Sequence, residues 1–239
     1  MATYVLIHGA AADAWYWGPL AAVLAARGHA VVAPDLPCED ESAGLAAYAD
    51  TVVEAIGDRR ELVVVAHSFG GFTGPLVCDR LPVDLLVLLH AQVPAPGEAP
   101  GLWWDNTGYG AARQEADRRR GVPEGAEEDP LSLFLHDTPA PLAAELLAEH
   151  QRGQAARPFE TPWPLSGWPQ VPTRALLATG DRFFPAEFLR RVTVERLGLR
   201  PDGMPGDHLP MLGHPQELAE RLEAYRTGVL SPGDDRRPR

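Results

Sequence analysis

Five residues, Leu62-Val63-Val64-Val65-Ala66, limit what this chain can fold into more than any other stretch. A continuous, largely β-branched apolar run has no polar face to offer water. It must be covered on both sides, which is the environment of a parallel strand between helical layers. The run ends at His67-Ser68-Phe69-Gly70-Gly71, and the next residues can be helical. Strand, tight turn and helix in so few residues leave Ser68 on the turn itself. This is the nucleophile-elbow pattern G-x-S-x-G, written here Ala66-His67-Ser68-Phe69-Gly70, with alanine in place of the first glycine. An elbow strains the backbone at its serine so that the hydroxyl projects outward. Strand and helix cross so closely that the positions two before and two after the serine must be small. Gly70 meets that demand, and Ala66 adds one methyl group. The helix starting near Phe69 aims its free N–H groups at the serine and favours negative charge there. A serine-glycine turn without chemistry has the same local sequence, so partners must be sought elsewhere in the chain.

The surrounding pattern is that of an α/β fold. Tyr4–Ile7 reads as a strand, Trp15–Arg27 as a helix closed by Gly28, and Ala30–Ala33 as the next strand. Ser42 is a candidate N-cap for a helix that runs to Ile56 and stops at Gly57. The elbow strand, its helix to about Leu81 and the strand Asp84–Leu89 come next. Such alternation predicts a mostly parallel central sheet with helices on both faces. Between Pro94 and Pro172 the character changes: this stretch holds half of the prolines, four of the six tryptophans and no strand of core type. Helical pieces are legible at Ala111–Arg120, Leu131–His136 and Pro141–Arg152. A segment of this length bracketed by two strands reads as an inserted, mainly helical cap. The α/β pattern resumes with the strand Thr173–Ala178, a helix Ala186–Leu197, a short extended piece before Gly206 and a last helix from Pro215. The organisation expected is core at 1–93, cap at 94–172, core again at 173–230, and a polar, Pro-containing tail at 231–239 read as flexible.

A serine nucleophile needs a base, and the base needs an acid to orient it. In an open parallel sheet such groups gather at the carboxyl ends of strands. Asp181 follows the strand Thr173–Ala178 by three residues, and His208 lies in the loop before the last helix. With Ser68 they form a candidate triad in the chain order Ser, Asp, His. His214 competes with His208, but it precedes Pro215 at a helix start and reads as structural. Asp207 reads as a turn residue. The oxyanion formed on a carbonyl needs backbone donors. The N–H groups of Phe69 and of Ala10, in the loop after the first strand, are the candidates. His8, beside Gly9, reads as a brace for that loop rather than a second base. Trp103, Trp104, Phe134, Trp163 and Trp168 are candidates to line a substrate pocket, or else form the cap's own core.

Composition narrows the partners. A formal net charge of −12 over 239 residues argues against nucleic acid and anionic membranes. No apolar run approaches membrane-spanning length, and the start of the chain has no basic region followed by an apolar stretch, so a soluble, cytoplasmic protein is expected. Cys38 and Cys78 are too few for a disulfide framework; Cys78 reads as a small buried hydrophobe, and Cys38 has no readable role. No cysteine pair or His-Glu-x-x-His supports a metal, and no cofactor is expected. All 21 basic residues are arginine, so no lysine is available for catalysis. Oligomeric state has no signature.

These residues together resemble the α/β-hydrolase superfamily over Tyr4 to about Tyr225. Val5-Leu6-Ile7-His8-Gly9-Ala10, Trp15-Tyr16-Trp17, Ala66-His67-Ser68-Phe69-Gly70-Gly71, Asp181 with Pro185-Ala186-Glu187-Phe188, and Gly206-Asp207-His208-Leu209-Pro210-Met211-Leu212 are similar to one branch in particular. That branch holds small carboxylesterases, such as salicylate methyl esterases, and the related hydroxynitrile lyases. The resemblance implies Ser68, Asp181 and His208 as triad, Ala10 and Phe69 as oxyanion donors, and a cap within Pro94–Pro172. The lyases of the branch carry threonine after the first histidine and lysine after the catalytic one. Gly9 and Leu209 stand there instead, which favours the esterase. A serine nucleophile also sets the chain apart from epoxide hydrolases and haloalkane dehalogenases, which use aspartate. The leading expectation is a serine hydrolase of small, largely apolar esters or thioesters. A lyase, cyclase or C–C bond-cleaving enzyme of secondary metabolism and a non-catalytic small-molecule receptor are the alternatives.

Overall fold

The computed structural model describes residues 1–126 and 129–228; the tail expected at 231–239 lies outside the described residues. Six parallel strands form one sheet in the order β2-β1-β3-β4-β5-β6. They are β1 (Thr3–Ile7), β2 (Ala30–Val32), β3 (Leu62–His67), β4 (Leu85–Leu89), β5 (Thr173–Ala178) and β6 (Asp202–Met204). The two edge strands are the shortest, three residues each, which limits the unpaired backbone a parallel sheet leaves at its margins.

The apolar runs bury themselves by splitting between two faces with period two. Val5, Ile7, Val64, Ala66, Leu86 and Leu88 face α2 (Leu45–Ile56) and α3 (Gly70–Arg80), while Tyr4, Leu6, Val63, Val65, Val87 and Leu89 face the other layer. That second layer is α1 (Gly18–Ala26) with the closing helix of the chain. Strand order reverses between β1 and β3, because the chain lays β2 outside β1 and then returns to build β3 on the other side. The loops leaving β1 and β3 therefore diverge and open a crevice at their carboxyl ends, the usual ligand site of such sheets.

Between β4 and β5 the described residues form only helices and loops. The helices are α4 (Trp103–Thr107), α5 (Tyr109–Arg120), α6 (Pro130–Phe134), α7 (Ala140–Glu149) and α8 (Arg157–Glu160). The short α4 and α8 carry no amphipathic period and are not legible in sequence. This segment is pinned at its base. Arg196, on α9 (Ala186–Leu197), holds both carboxylate oxygens of the buried Glu98 at 2.5 and 2.8 Å, and the Trp163 indole N–H donates to Phe72 O at 3.1 Å. After β6 come α10 (Pro210–Gly213) and α11 (Pro215–Thr227), which buries Leu218, Leu222 and Tyr225. One cap differs from expectation. Ser42 bonds Asp40, and Gly44, in an extended conformation, precedes α2 with no side-chain cap.

The crossing of β3 and α3 shows how Ala66 is accommodated. A Cβ on Gly74, one turn into α3, would stand 2.8 Å from the Ala66 Cβ, so Gly74 supplies the room that a glycine at position 66 would otherwise leave. Gly71 tolerates nothing larger, since a Cβ there would fall 1.9 Å from Gln92 O. We expect Gly74→Ala to lower stability by about 1–3 kcal/mol through overpacking, and Ala66→Gly in the same chain to restore most of it. Urea-denaturation midpoints of the two variants check this; a double variant no better than Gly74→Ala would refute the pairing.

Candidate active site

Ser68 lies on the turn between β3 and α3 with φ +52°, in the left-handed region that costs a side-chain-bearing residue on the order of 1–3 kcal/mol. The ends of β4 hold it there. Its N–H donates to Leu89 O at 3.2 Å, and its carbonyl accepts from Gly71 N–H at 3.1 Å and Gln92 N–H at 3.0 Å. With its backbone satisfied, the side chain points into the crevice beside Gly9, where any Cβ would lie 2.9 Å from Ser68 Cβ.

The three residues singled out from chain order meet at this point. Ser68 Oγ and His208 Nε2 are 3.2 Å apart, and His208 Nδ1 lies 2.7 Å from Asp181 Oδ2. The other carboxylate oxygen of Asp181 accepts the N–H groups of Phe183 and Phe184 at 2.7 and 3.0 Å, which fixes its plane. Burial would raise the Asp181 carboxyl. The His208 imidazole and its hydrogen bond, then His90 and the Phe184 N–H, outweigh that and hold it below its ordinary value. His214 is elsewhere, its Nε2 2.7 Å from Asp137 Oδ2. Asp207 forms the expected turn with Leu209 N–H at 2.8 Å and also accepts from Asp137 N–H and the Thr138 hydroxyl. That ties the loop carrying His208 to the cap.

The loop after β1 is braced as expected. Leu36 N–H donates to His8 Nε2 at 3.0 Å, leaving Nδ1 as the protonated nitrogen, 2.8 Å from Gly9 O. Cap residues clasp the same loop. Ala11, with φ +54°, donates its N–H to Gln154 Oε1 at 3.0 Å, and the Arg152 guanidinium donates to Ala12 O at 3.4 Å and Leu36 O at 3.2 Å. Phe69 follows Ser68 directly and Ala10 follows Gly9, the residue packed against Ser68, and among the described residues neither backbone N–H has an acceptor within the protein.

The five aromatic pocket candidates fall in different places. Phe134 meets the His208 ring edge-on, 5.6 Å between centroids. Trp104 lies one layer back, packed on Phe184 at 5.8 Å. Trp103 and Trp163 are buried in the core, each indole N–H bonded to a main-chain carbonyl, and Trp168 packs on Trp163. Three more rings, which no sequence pattern singles out as pocket residues, define the site. Phe183 and Phe184 stand 5.2 and 5.5 Å from His208, and Phe159 stacks on Phe69 at 4.5 Å. Phe183-Phe184 follow Asp181 closely in sequence, which is the one signal that marks them. Ser68 is only 8% exposed, and Phe134, Phe183 and Phe184 pack around the His208 ring that meets it. A surface hollow of about 730 Å³ between α5 and α9 reaches Asp181 but not Ser68.

Sequence reasoning also passes over His67. Its Nε2 donates to His208 O at 2.9 Å, so the residue before the serine steers the loop of the histidine. Burial drives His8, His67 and His90 below the ordinary histidine value, His90 to about 4. Burial favours the neutral form of each, so below about pH 6.5 each takes up a proton when the chain unfolds. Their stabilisation is therefore complete above about pH 6.5 and declines as pH falls towards 4, by roughly 3 kcal/mol for His90 alone. Urea midpoints should hold from pH 7.5 to about 6.5 and then fall steadily to pH 4.5; a midpoint flat to pH 5 would contradict neutral burial.

No helix among the described residues is long and apolar enough to cross a membrane. A model of the alpha/beta hydrolase family matches residues 4–221. Norfluorocurarine synthase 1 of a Strychnos species is 23% identical over 256 residues, covering 95% of this chain and 96% of that protein. Methylesterase 1 of Arabidopsis thaliana is 23% identical over 248 residues, covering 91% and 93%. A solved pyrethroid hydrolase from Sphingobium faniae JZ-2 has the same fold, with a TM-score of 0.73 at 23% identity over 95% of this chain and 97% of that one.

Proposed function

Because this chain belongs to the alpha/beta hydrolase family, we propose that it is a serine hydrolase that cleaves a small, largely apolar carboxylic ester or thioester through an acyl-enzyme. The observation that carries this reading is the continuous relay from Ser68 Oγ through His208 to the buried Asp181 carboxylate, at 3.2 and 2.7 Å. Esterase and hydrolase names among the similar proteins agree with it.

The steps follow from the groups present. His208 Nε2 takes the Ser68 proton as Oγ attacks the carbonyl carbon, and Asp181 holds the imidazole in the tautomer that leaves Nε2 free to do so. Negative charge develops on the carbonyl oxygen, where the N–H groups of Phe69 and Ala10 and the N-terminus of α3 would stabilise it. His208 returns the proton to the leaving alcohol or thiol. Water, deprotonated by the same imidazole, then releases the acid from Ser68. The rings of Phe134, Phe183 and Phe184 around His208 favour an apolar substrate and exclude solvent from the charged transition state.

A panel of p-nitrophenyl esters of increasing acyl length tests the reading. Ser68→Ala should lose about 10³-fold or more in kcat/KM with the fold intact by circular dichroism. A fluorophosphonate should label the wild type, with its mass on the peptide that contains Ser68. A variant that keeps near-wild-type rate overturns the mechanism. Turnover without any covalent Ser68 adduct would favour a lyase-type reaction, and tight binding with neither turnover nor labelling a receptor.

A further inference from the structure

His90 is fully buried at the carboxyl end of β4 and takes no part in the acyl-transfer steps. Its backbone is left-handed, φ +46°, and its N–H donates to Leu176 O at 3.0 Å, so the ring is inserted between the ends of β4 and β5. Two neighbours fix its protonation. The Ala178 backbone N–H donates to His90 Nε2. An amide N–H can only donate, so Nε2 is bare and the single ring proton is on Nδ1. Nδ1 has no well-aligned acceptor, yet it stands 3.3 Å from Asp181 Oδ2, the same oxygen that His208 Nδ1 meets at 2.7 Å.

We propose that His90 is a positioning residue that acts through Asp181: its Nδ1–H shares Oδ2 with His208, so that one buried carboxylate is held between two imidazoles. This deepens the serine-hydrolase reading and rests on it. The four N–H groups then divide between the two oxygens, Phe183 and Phe184 on Oδ1, His208 and His90 on Oδ2. The His90 dipole draws negative charge away from the oxygen that His208 Nδ1 meets, and so weakens the hold of the carboxylate on that ring. The titratable groups facing His90 are Asp181 from the loop after β5, His208 from the loop before α10 and His67 at the end of β3. Asp181 is felt in turn by Tyr109 and His136 of the cap. His90 itself stays neutral through the working pH range, because protonating it would set an Nε2–H against the Ala178 N–H. It serves as a fixed dipole and does not transfer protons.

Two substitutions separate this role from mere support of the strand ends. His90→Asn keeps a donor at the place of Nδ1 and suits the left-handed backbone. His90→Gln reaches the place of Nε2, offering Ala178 N–H an acceptor while leaving Oδ2 without its second donor. The acid limb of kcat/KM for ester hydrolysis should move up by roughly 0.5–1 pH unit in His90→Gln and in His90→Ala, and stay near wild type in His90→Asn. KM should change less than kcat. NMR of ¹⁵N-labelled imidazoles supplies a readout that needs no turnover: His90 should show protonated Nδ1 and bare Nε2, and the His208 titration should move in the same order across the three variants. A His208 titration that is unmoved in His90→Gln, or a His90 ring protonated on Nε2, overturns the proposal. If the wild type hydrolyses no ester while the imidazole titrations behave as stated, the hydrolase reading fails and the carboxylate contact stands.

Discussion

The crossing of β3 over α3 is the constraint on which everything else in the crevice depends. Ser68 occupies a conformation that its own residue type resists, and it persists because three backbone hydrogen bonds to the ends of β4 and the first turn of α3 leave its main chain no better arrangement. Those bonds require the chain to pass within van der Waals contact of itself, hence glycine at 70 and 71, and the exchange of room between Ala66 and Gly74. A sheet register that brings β1 and β3 side by side in the same direction adds Gly9 against the serine. The placement of Ser68 is thus a product of backbone packing before any side chain contributes chemistry.

Around this backbone the site is assembled almost entirely from imidazoles and rings. Histidines 8, 67, 90 and 208 are all buried, and the first three have an explicit main-chain partner that dictates a tautomer. Low dielectric keeps these three uncharged, and the Asp181 carboxylate is in direct contact with the imidazole that faces Ser68. Fixed N–H dipoles then set the field at His208 without mobile charge, which is the economical way to shape a site walled off from water.

How much of this is legible in the sequence depends on whether the signal is periodic or spatial. The sheet, α9 and the start of α11 follow from apolar patterning, and the strand Thr173–Ala178 matches to the residue. Ser68, Asp181 and His208 are found by their places at strand ends, since topology alone brings such ends together. The cap is different. Trp103 and Trp163 look in sequence like Phe134, but their indole N–H groups find Val93 O and Phe72 O and draw them into the core, while the ring without a polar handle turns to His208. His90 has no local mark at all: its meaning comes from β5 lying beside β4. Ser42 is no cap because α2 begins only at Leu45, with Gly44 at the cap position, and the Ser42 hydroxyl donates to Asp40 instead.

The clasp between Gln154 and Ala11, together with the bonds from Asp207 to Asp137 and Thr138, has a consequence for how the molecule must move. One segment, the chain between β4 and β5, bonds both the loop after β1 and the loop that carries His208. Displacing either loop would release a backbone or hydroxyl donor that the structure satisfies. The two sides of the crevice are therefore coupled through a single stretch of chain that braces both.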